Sequence, residues 1–366
     1  MIARGPVRRL FMTADAVGGV WTFTLELAAG LAEHGVQTRV ALLGPPPSAD
    51  QQRDAATIPG LELSDTGLDL EWRDRKGLDD PGARRHLWTL AADFRPDVVH
   101  INGFREASYG WKVPVVVVAH SCVRSWWRAC RRAEPPPVWA AYLAGVRAGL
   151  AAADAIVAPS GAFMGELEDL YGAGQKGRII HNGRDLAVPV LARKPYILAA
   201  GRLWDAGKNI TALARVAPRL PWPVVVAGQP AQGSTLPGLV HLGRLGQAAL
   251  ARTMAEAEIF CAPARYEPFG LAVLEAAKSG AALVLSTTPS LVELWGTAAR
   301  FVDSEDLDGL AGTLLDLIYD PLALAELQAA ARETAARFTR ARMTQAYLDL
   351  YTELAIPHLK GDGRAA

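Results

Sequence analysis

Glu267 and Glu275 stand eight residues apart around a Pro268-Phe269-Gly270 turn, and a helical run surrounds the second carboxylate. Upstream, Ile259-Phe-Cys-Ala262 reads as a buried strand; downstream, Gly280 reads as a helix stop. The implied order is strand, loop carrying Glu267, helix start near Gly270, and Glu275 one turn in. A helix start offers unpaired backbone N–H groups and about half a positive charge, which suits a phosphate. Leu271 and Glu275 are i and i+4, so the second carboxylate lies on the helix face beside whatever docks at that end. One carboxylate before an anion site and one alongside it suit the hydroxyls at the two ends of a nucleotide sugar. An ordinary αβ unit with two exposed glutamates has the same pattern.

A phosphate leaving group needs positive charge. Gly201-Arg202-Leu-Trp-Asp-Ala-Gly207-Lys208-Asn supplies two cations just beyond the strand pattern Tyr196–Ala200. A guanidinium binds a diphosphate in bidentate fashion and a lysine adds a point charge; a solvated loop is the alternative. Asp15-Ala-Val-Gly18-Gly19-Val, between the first strand and a helical pattern Trp21–Glu33, is a second phosphate candidate. Its glycines allow close backbone approach at a helix start, although a plain tight turn would look the same. His120 ends the apolar run Val115-Val-Val-Val-Ala. At a strand end it could hydrogen-bond a sugar hydroxyl or carry a proton, or be structural.

Three motif matches fail on context. Gly172-Ala-Gly174-Gln-Lys-Gly177 spells GxGxxG but follows a helical run and leads into a strand, the reverse of a dinucleotide fold. Gly201 through Lys208 is one residue too long for a P-loop, with Asn209 where Ser or Thr would bind magnesium. Asp306-Leu-Asp308 begins the pattern Leu307–Tyr319, where acidic residues act as caps. No HExxH, GxSxG or paired Cys/His spacing occurs, which argues against metal or serine hydrolase chemistry; no metal site and no cofactor is expected.

Those residues must be positioned by an α/β framework. Short β-rich runs alternate with helical patterns along all 366 residues, a length comfortable for two domains. The runs are Arg9–Ala14, Thr38–Leu43, Asp97–Ile101, Val113–His120, Ala155–Ala158 and Arg178–His181, then Tyr196–Ala200, Val224–Ala227, Val240–Leu242, Ile259–Ala262 and Ala282–Ser286. Such alternation predicts parallel sheets covered on both faces, with ligands at the carboxyl ends of the strands. A stretch without periodicity near Arg184–Lys194 divides the chain into domains 1–188 and 189–339, followed by a last helical pattern beginning at Arg340. Lys+Arg and Asp+Glu both number 38, which gives no support to general nucleic-acid binding. Three unpaired cysteines and the lack of an 18-residue apolar span point to a cytoplasmic protein.

Taken together, the pieces resemble retaining glycosyltransferases of the GT-B fold, specifically glycosyltransferase family 4. Those that carry the resemblance run in family order. They are Gly18-Gly19, Asp97-Val-Val-His100, His120, Pro159-Ser160, His181-Asn182-Gly183, Gly201-Arg202-Leu with Lys208, Val226-Ala-Gly228 and the Glu267/Glu275 pair, then Pro289-Ser-Leu-Val-Glu293. The resemblance implies two doubly wound Rossmann-like domains facing a cleft, with a C-terminal helix, 340–356, crossing back to the N-terminal domain. It implies an N-terminal domain on the acceptor side and a C-terminal domain binding a UDP- or GDP-linked sugar. Arg202 and Lys208 would bind the donor diphosphate in place of a metal, Glu275 the ribose hydroxyls, and Glu267 would sit near the donor sugar. Amides around Phe269, Gly270 and Leu271 would meet phosphate or sugar, and His120 the sugar hydroxyls. The Gly18-Gly19 loop would close over the donor, and Gly228 and Leu245 would border the base. Glu267, Arg202, Lys208 and His120 are thus the expected catalytic set.

Two segments depart from the family pattern, Gly207-Lys208-Asn209 by one residue of register and Thr288-Pro289-Ser290 by lacking a Gly-Gly pair. The acceptor is expected to be a glycan, lipid-linked or small molecule. Arg124-Ser-Trp126-Trp127-Arg128-Ala-Cys-Arg131-Arg132 suits weak peripheral membrane contact, sugar stacking, or a helix with inward tryptophans. A nucleotide-sugar hydrolase or epimerase of the same fold, and a non-catalytic nucleotide-sugar-binding protein, are the competing readings.

Overall fold

In the computed structural model, which describes residues 7–73, 80–230 and 236–361 with side chains to 356, every paired strand runs parallel to its neighbour. The first sheet contains β1 (Arg9–Asp15), β2 (Gln37–Leu43), β3 (Leu61–Asp65), β4 (Val98–Ile101), β5 (Val115–Val118), β6 (Ala155–Ala158) and β7 (Gly177–Ile179), in the order β3-β2-β1-β4-β5-β6-β7. The second contains β8 (Lys194–Ala200), β9 (Val224–Ala227), β10 (Leu239–His241), β11 (Ala257–Ala262), β12 (Ala282–Ser286) and β13 (Arg300–Val302), in the order β10-β9-β8-β11-β12-β13. β4, β5, β6 and β9 are buried at every residue, as strands covered on both faces must be; β5, β6 and β9 hence read as unbroken apolar runs, and β4 is interrupted only by His100. Strand order reverses direction between β1 and β4, and again between β8 and β11. Crevices at the carboxyl ends of such strand pairs are where doubly wound sheets bind ligands.

Contacts divide the chain into two units. The first holds residues up to Arg128, Ala133–Gly183 and those from Arg340 on; the second holds Ala129–Arg132 and Arg184–Thr339. The final helix, Arg340–Gly361, belongs to the first unit, where it lies against helix Gly19–Glu33. Tyr347 and Tyr351 are fully buried there, and Tyr347 meets Phe23 edge-on at 5.8 Å. Thr344 approaches Gly30 so closely that a Cβ at residue 30 would stand 2.0 Å from its hydroxyl oxygen. Arg340 binds Glu26 at 2.7 Å at the edge of the same contact.

Several elements differ from the sequence reading. The fifth strand is shorter than Val113–His120, so His120 lies beyond its end. Edge strands β3 and β13 are short and mostly polar or half-exposed, and periodicity does not reveal them. Helices Ala49–Ala56, Pro81–Phe94 and Pro321–Ala335 bury few residues. Their signals are caps: Ser48 with Gln51, Asp80 before Pro81, and Asp320 before Pro321.

Candidate active site

The loops that leave β8 and β11 are stitched together. The backbone N–H groups of Arg265 and Tyr266 both donate to the Gly207 carbonyl, at 2.8 and 3.2 Å. The Asn209 side chain spans to the carbonyls of Pro263 (3.0 Å) and Ser304 (2.8 Å). Gly201 and Gly228 make this approach feasible. Both adopt φ near 145°, and a Cβ at Gly228 would stand 1.9 Å from the Gly201 carbonyl oxygen. From this frame Lys208 reaches across to form an ion pair with Glu267, its Nζ on Oε2, with both side chains largely buried. Arg202 is more open, 43% exposed, and its guanidinium binds Asp205 at 2.8 Å and lies 5.7 Å from the ring of Trp204. Asp205 also accepts from the Gly207 N–H at 2.8 Å, which ties the arginine to the turn.

Helix Leu271–Lys278 starts from Gly270 in the left-handed region (φ 87°), and no side chain caps it. Helix Gly19–Glu33 likewise starts from Gly18 (φ 76°) with no side-chain cap and no acidic residue in its first turn. By contrast, Asp80, Ser160, Asp306 and Asp320 each cap a helix elsewhere. Helices Ala140–Ala152, Ile210–Val216, Gln247–Glu256 and Pro289–Trp295 also lack a side-chain cap. The starts at Gly270 and Gly18 differ in following β11 and β1, next to the reversal points of the sheets, where their first N–H groups suit an anion. Phe269 is buried and edge-on to Phe338 at 5.6 Å, which fixes the turn before Gly270. Ser290 donates to the Glu267 carbonyl and Thr288 to the Ala264 carbonyl (2.9 Å), so the start of helix Pro289–Trp295 braces the same loop. Leu245 and Leu271 are half-buried against the core beneath.

Glu275 does not share a partner with Glu267. It is buried, and its Oε1 accepts from Arg184 Nη1. The structure thus separates the two carboxylates by giving each its own cation.

In the first unit the loop after β4 carries Asn102, whose Nδ2 donates to the Thr13 carbonyl at 2.9 Å. A carbonyl only accepts, so Asn102 Oδ1 must face the other way, where it meets Nε2 of His100 (2.9 Å) and Nε2 of His120 (2.7 Å). Both imidazoles therefore carry their proton on Nε2. Nδ1 of His100 then accepts from the Tyr351 hydroxyl at 2.6 Å. Burial holds His100 down to about 4, and burial together with the neighbouring His100 holds His120 down to about 3. Phe23 packs edge-on against His120 at 4.6 Å.

Two family descriptions match this chain: Glycosyltransferase Family 4 over residues 17–188, and Glycosyl transferases group 1 over 194–320. The chain belongs to the family 4, group 1 glycosyltransferases. Among similar proteins, glycogen synthase of Mycobacterium tuberculosis is 28% identical over 306 residues, covering 75% of this glycosyltransferase and 67% of that protein. D-inositol 3-phosphate glycosyltransferase of Xylanimonas cellulosilytica is 27% identical and covers 93% of each chain. Among solved structures, sucrose-phosphate synthase of Thermosynechococcus elongatus superimposes with a TM-score of 0.78 at 18% identity, covering 95% of this chain and 99% of that one. Anabaena HepE in complex with UDP-glucose gives 0.74 at 14% identity, covering 95% and 100%. These structures share with the glycosyltransferase its GT-B fold of two parallel sheets.

Within the second unit of the glycosyltransferase, Lys208, Glu267, Gly228 and the Phe269-Gly270 turn are gathered by direct contacts, and Arg202 is set beside them by Asp205. Gly18, Gly19 and His120 belong to the first unit. Sequence spacing missed Arg184 and Asn102, whose roles rest on contacts across the fold. Asp205, three residues from Arg202, could have been found as an i, i+3 partner. The GxGxxG match joins the end of helix Gly161–Tyr171 to β7, as its context implied, and Asp306 accepts from the Gly309 N–H as a cap. In helix Val123–Arg131, Arg124 and Arg128 are both engaged by Glu134, and Trp126 and Trp127 are half-buried and edge-on at 6.0 Å. No described helix is long and apolar enough to cross a membrane.

Proposed function

We propose that the protein is a metal-independent, retaining glycosyltransferase that moves a sugar from a UDP- or GDP-linked donor to a glycan, lipid-linked or small-molecule acceptor in the cytoplasm. The observation that carries this reading is the Lys208–Glu267 pair, set beside Arg202 at the reversal point of the second sheet and next to an uncapped helix start. That constellation supports the reading because two cations and uncapped N–H groups suit a departing diphosphate, and the carboxylate suits the reacting sugar. Preorganised charge of this kind acts on the transition state and needs no reorganisation during bond cleavage. Glu275 would hold the ribose. His120, neutral and protonated on Nε2, has Nδ1 as an acceptor, so a sugar hydroxyl would donate to it. The activities of the relatives, glycogen synthase and an inositol-phosphate glycosyltransferase, support the reaction class, and the UDP-glucose complex of HepE supports the donor type.

Arg202→Ala should lower turnover by about 10²–10³. Activity within tenfold of wild type would remove Arg202 from the diphosphate site. A thermal-shift panel of UDP, GDP, ADP and dTDP identifies the donor base, because a selective ligand raises stability by mass action. Donor consumed without an acceptor would make the enzyme a hydrolase or epimerase, and tight donor binding without turnover on a broad acceptor panel would make it a binding protein. The anomeric configuration of the product, read by NMR, tests retention. For residues 124–132 the reading is weak contact with an anionic membrane through the exposed Arg131 and Arg132; release from anionic vesicles at low salt would refute it.

A further inference from the structure

Arg184 lies 91 residues before Glu275 in sequence, and no spacing rule links the two. In the fold its guanidinium meets the Glu275 carboxylate with 7% and 10% of the two side chains exposed. A buried carboxylate needs a countercharge, and Arg184 supplies it. The arginine is itself fixed. Its backbone N–H donates to the Phe338 carbonyl at 3.3 Å, and Phe338 packs edge-on against Phe269 in the turn that leads to Glu275. Arg184, Phe338 and the Phe269-Gly270 turn therefore form one support under a single carboxylate.

We infer that Arg184 is the positioning residue of the ribose subsite, holding Glu275 Oε1 so that Oε2 is left to accept from a ribose hydroxyl. The inference rests on the reading that Glu275 binds the ribose. A charge-assisted hydrogen bond from the guanidinium restrains the carboxylate through Oε1, whereas an unsupported glutamate must be ordered by the ligand it binds. The subsite is thus a single charged oxygen already oriented for a hydroxyl donor, and its selectivity is for the ribo over the deoxy sugar.

The test uses the full chain and its Arg184→Met, Arg184→Lys and Glu275→Gln variants. Calorimetry measures their affinity for UDP and GDP and for the 2′-deoxy and 3′-deoxy forms of each. Wild type should prefer a ribonucleotide over one of its deoxy forms by on the order of tenfold. Arg184→Met should lower that preference by about fivefold, with deoxynucleotide affinity held within about twofold. Arg184→Lys, which keeps the charge and loses the planar fork, should lower it part of the way, and it carries the test if the methionine variant does not fold. Equal losses for ribo and deoxy nucleotides in both arginine variants would reduce Arg184 to a structural role and overturn the inference. Preference intact in both, but lost in Glu275→Gln, would overturn it while leaving Glu275 at the ribose. Preference intact in Glu275→Gln would remove the ribose reading itself.

Discussion

At Asn102 the direction of one amide sets the tautomer of two imidazoles, and burial keeps both of them neutral. Their folded values, about 4 and about 3, lie below the usual histidine value of 6.5, so the unfolded chain binds more protons as the pH falls below 6.5. Stability from these rings is complete above that pH and is lost on acidification towards 4, with a slope of at most about 1.4 kcal/mol per pH unit per ring. Glu71 acts in the opposite sense. Burial first, and the nearby Glu106 second, push its carboxyl up to about 8, so it costs stability as the pH rises from the usual 4.5. Between 4.5 and 6.5 it offsets one of the two histidines. The clean measurement is therefore residue-specific: the Cε1 proton resonances of His100 and His120 should stay at neutral positions from pH 8 to pH 5. A titration near 6.5 in either ring would contradict the network. Sequence placed His120 at a strand end, but Asn102 and Tyr351 gain their meaning only from contacts 18 and 251 positions away.

The loops after β8, β9 and β11 act as one element because they touch through backbone as well as side chains. Gly228→Ala would drive a Cβ into the Gly201 carbonyl, and the loop bearing Arg202 and Lys208 would have to shift. We expect a loss of about 1–3 kcal/mol in stability, read by denaturant unfolding, together with weaker nucleotide binding. Gly243 provides the control: it also has positive φ (68°), but nothing lies within 4 Å of an added Cβ. Gly243→Ala should cost only the left-handed backbone penalty, about 1–2 kcal/mol, and leave binding in place. Equal binding losses in the two variants would refute the steric account. Strands such as β5, four valines buried on both faces, were legible because the sheet interior leaves no other pattern. β3 and β13 were not, since an edge strand with polar residues carries no period to read. For the helices that periodicity missed, cap residues held the signal, as Ser48 and Gln51 illustrate with their reciprocal hydrogen bonds.

At the scale of the whole molecule, the first unit is built from both ends of the chain. Phe23, His100, Tyr347 and Tyr351 form one buried aromatic group, with Met343 and Leu350 in the same core. A chain ending at Thr339 would uncover that core. Calorimetry should then show the loss of one unfolding transition, while the second unit keeps a transition that a nucleoside diphosphate still raises. Survival of both transitions would mean that the terminal helix adds little to the first unit. The GT-B fold was legible because the motifs run in family order, and the two sheets match that expectation. The support under Glu275 was not, because Arg184 belongs to a stretch without periodicity and meets its partner only once the second unit has folded.

The ion pair between Arg340 and Glu26 closes a separation of 314 residues. Residues of the first core are synthesised both before and after the second unit, almost all of which is made in one continuous stretch between them. On the ribosome the unit begun first must therefore be completed last, with the Phe23 side of helix Gly19–Glu33 uncovered until the terminal helix emerges. Closing so long a loop is slow compared with forming local contacts, so the late phase of refolding should belong to the first unit. Chaperones that bind nascent apolar surface would meet this chain at that helix.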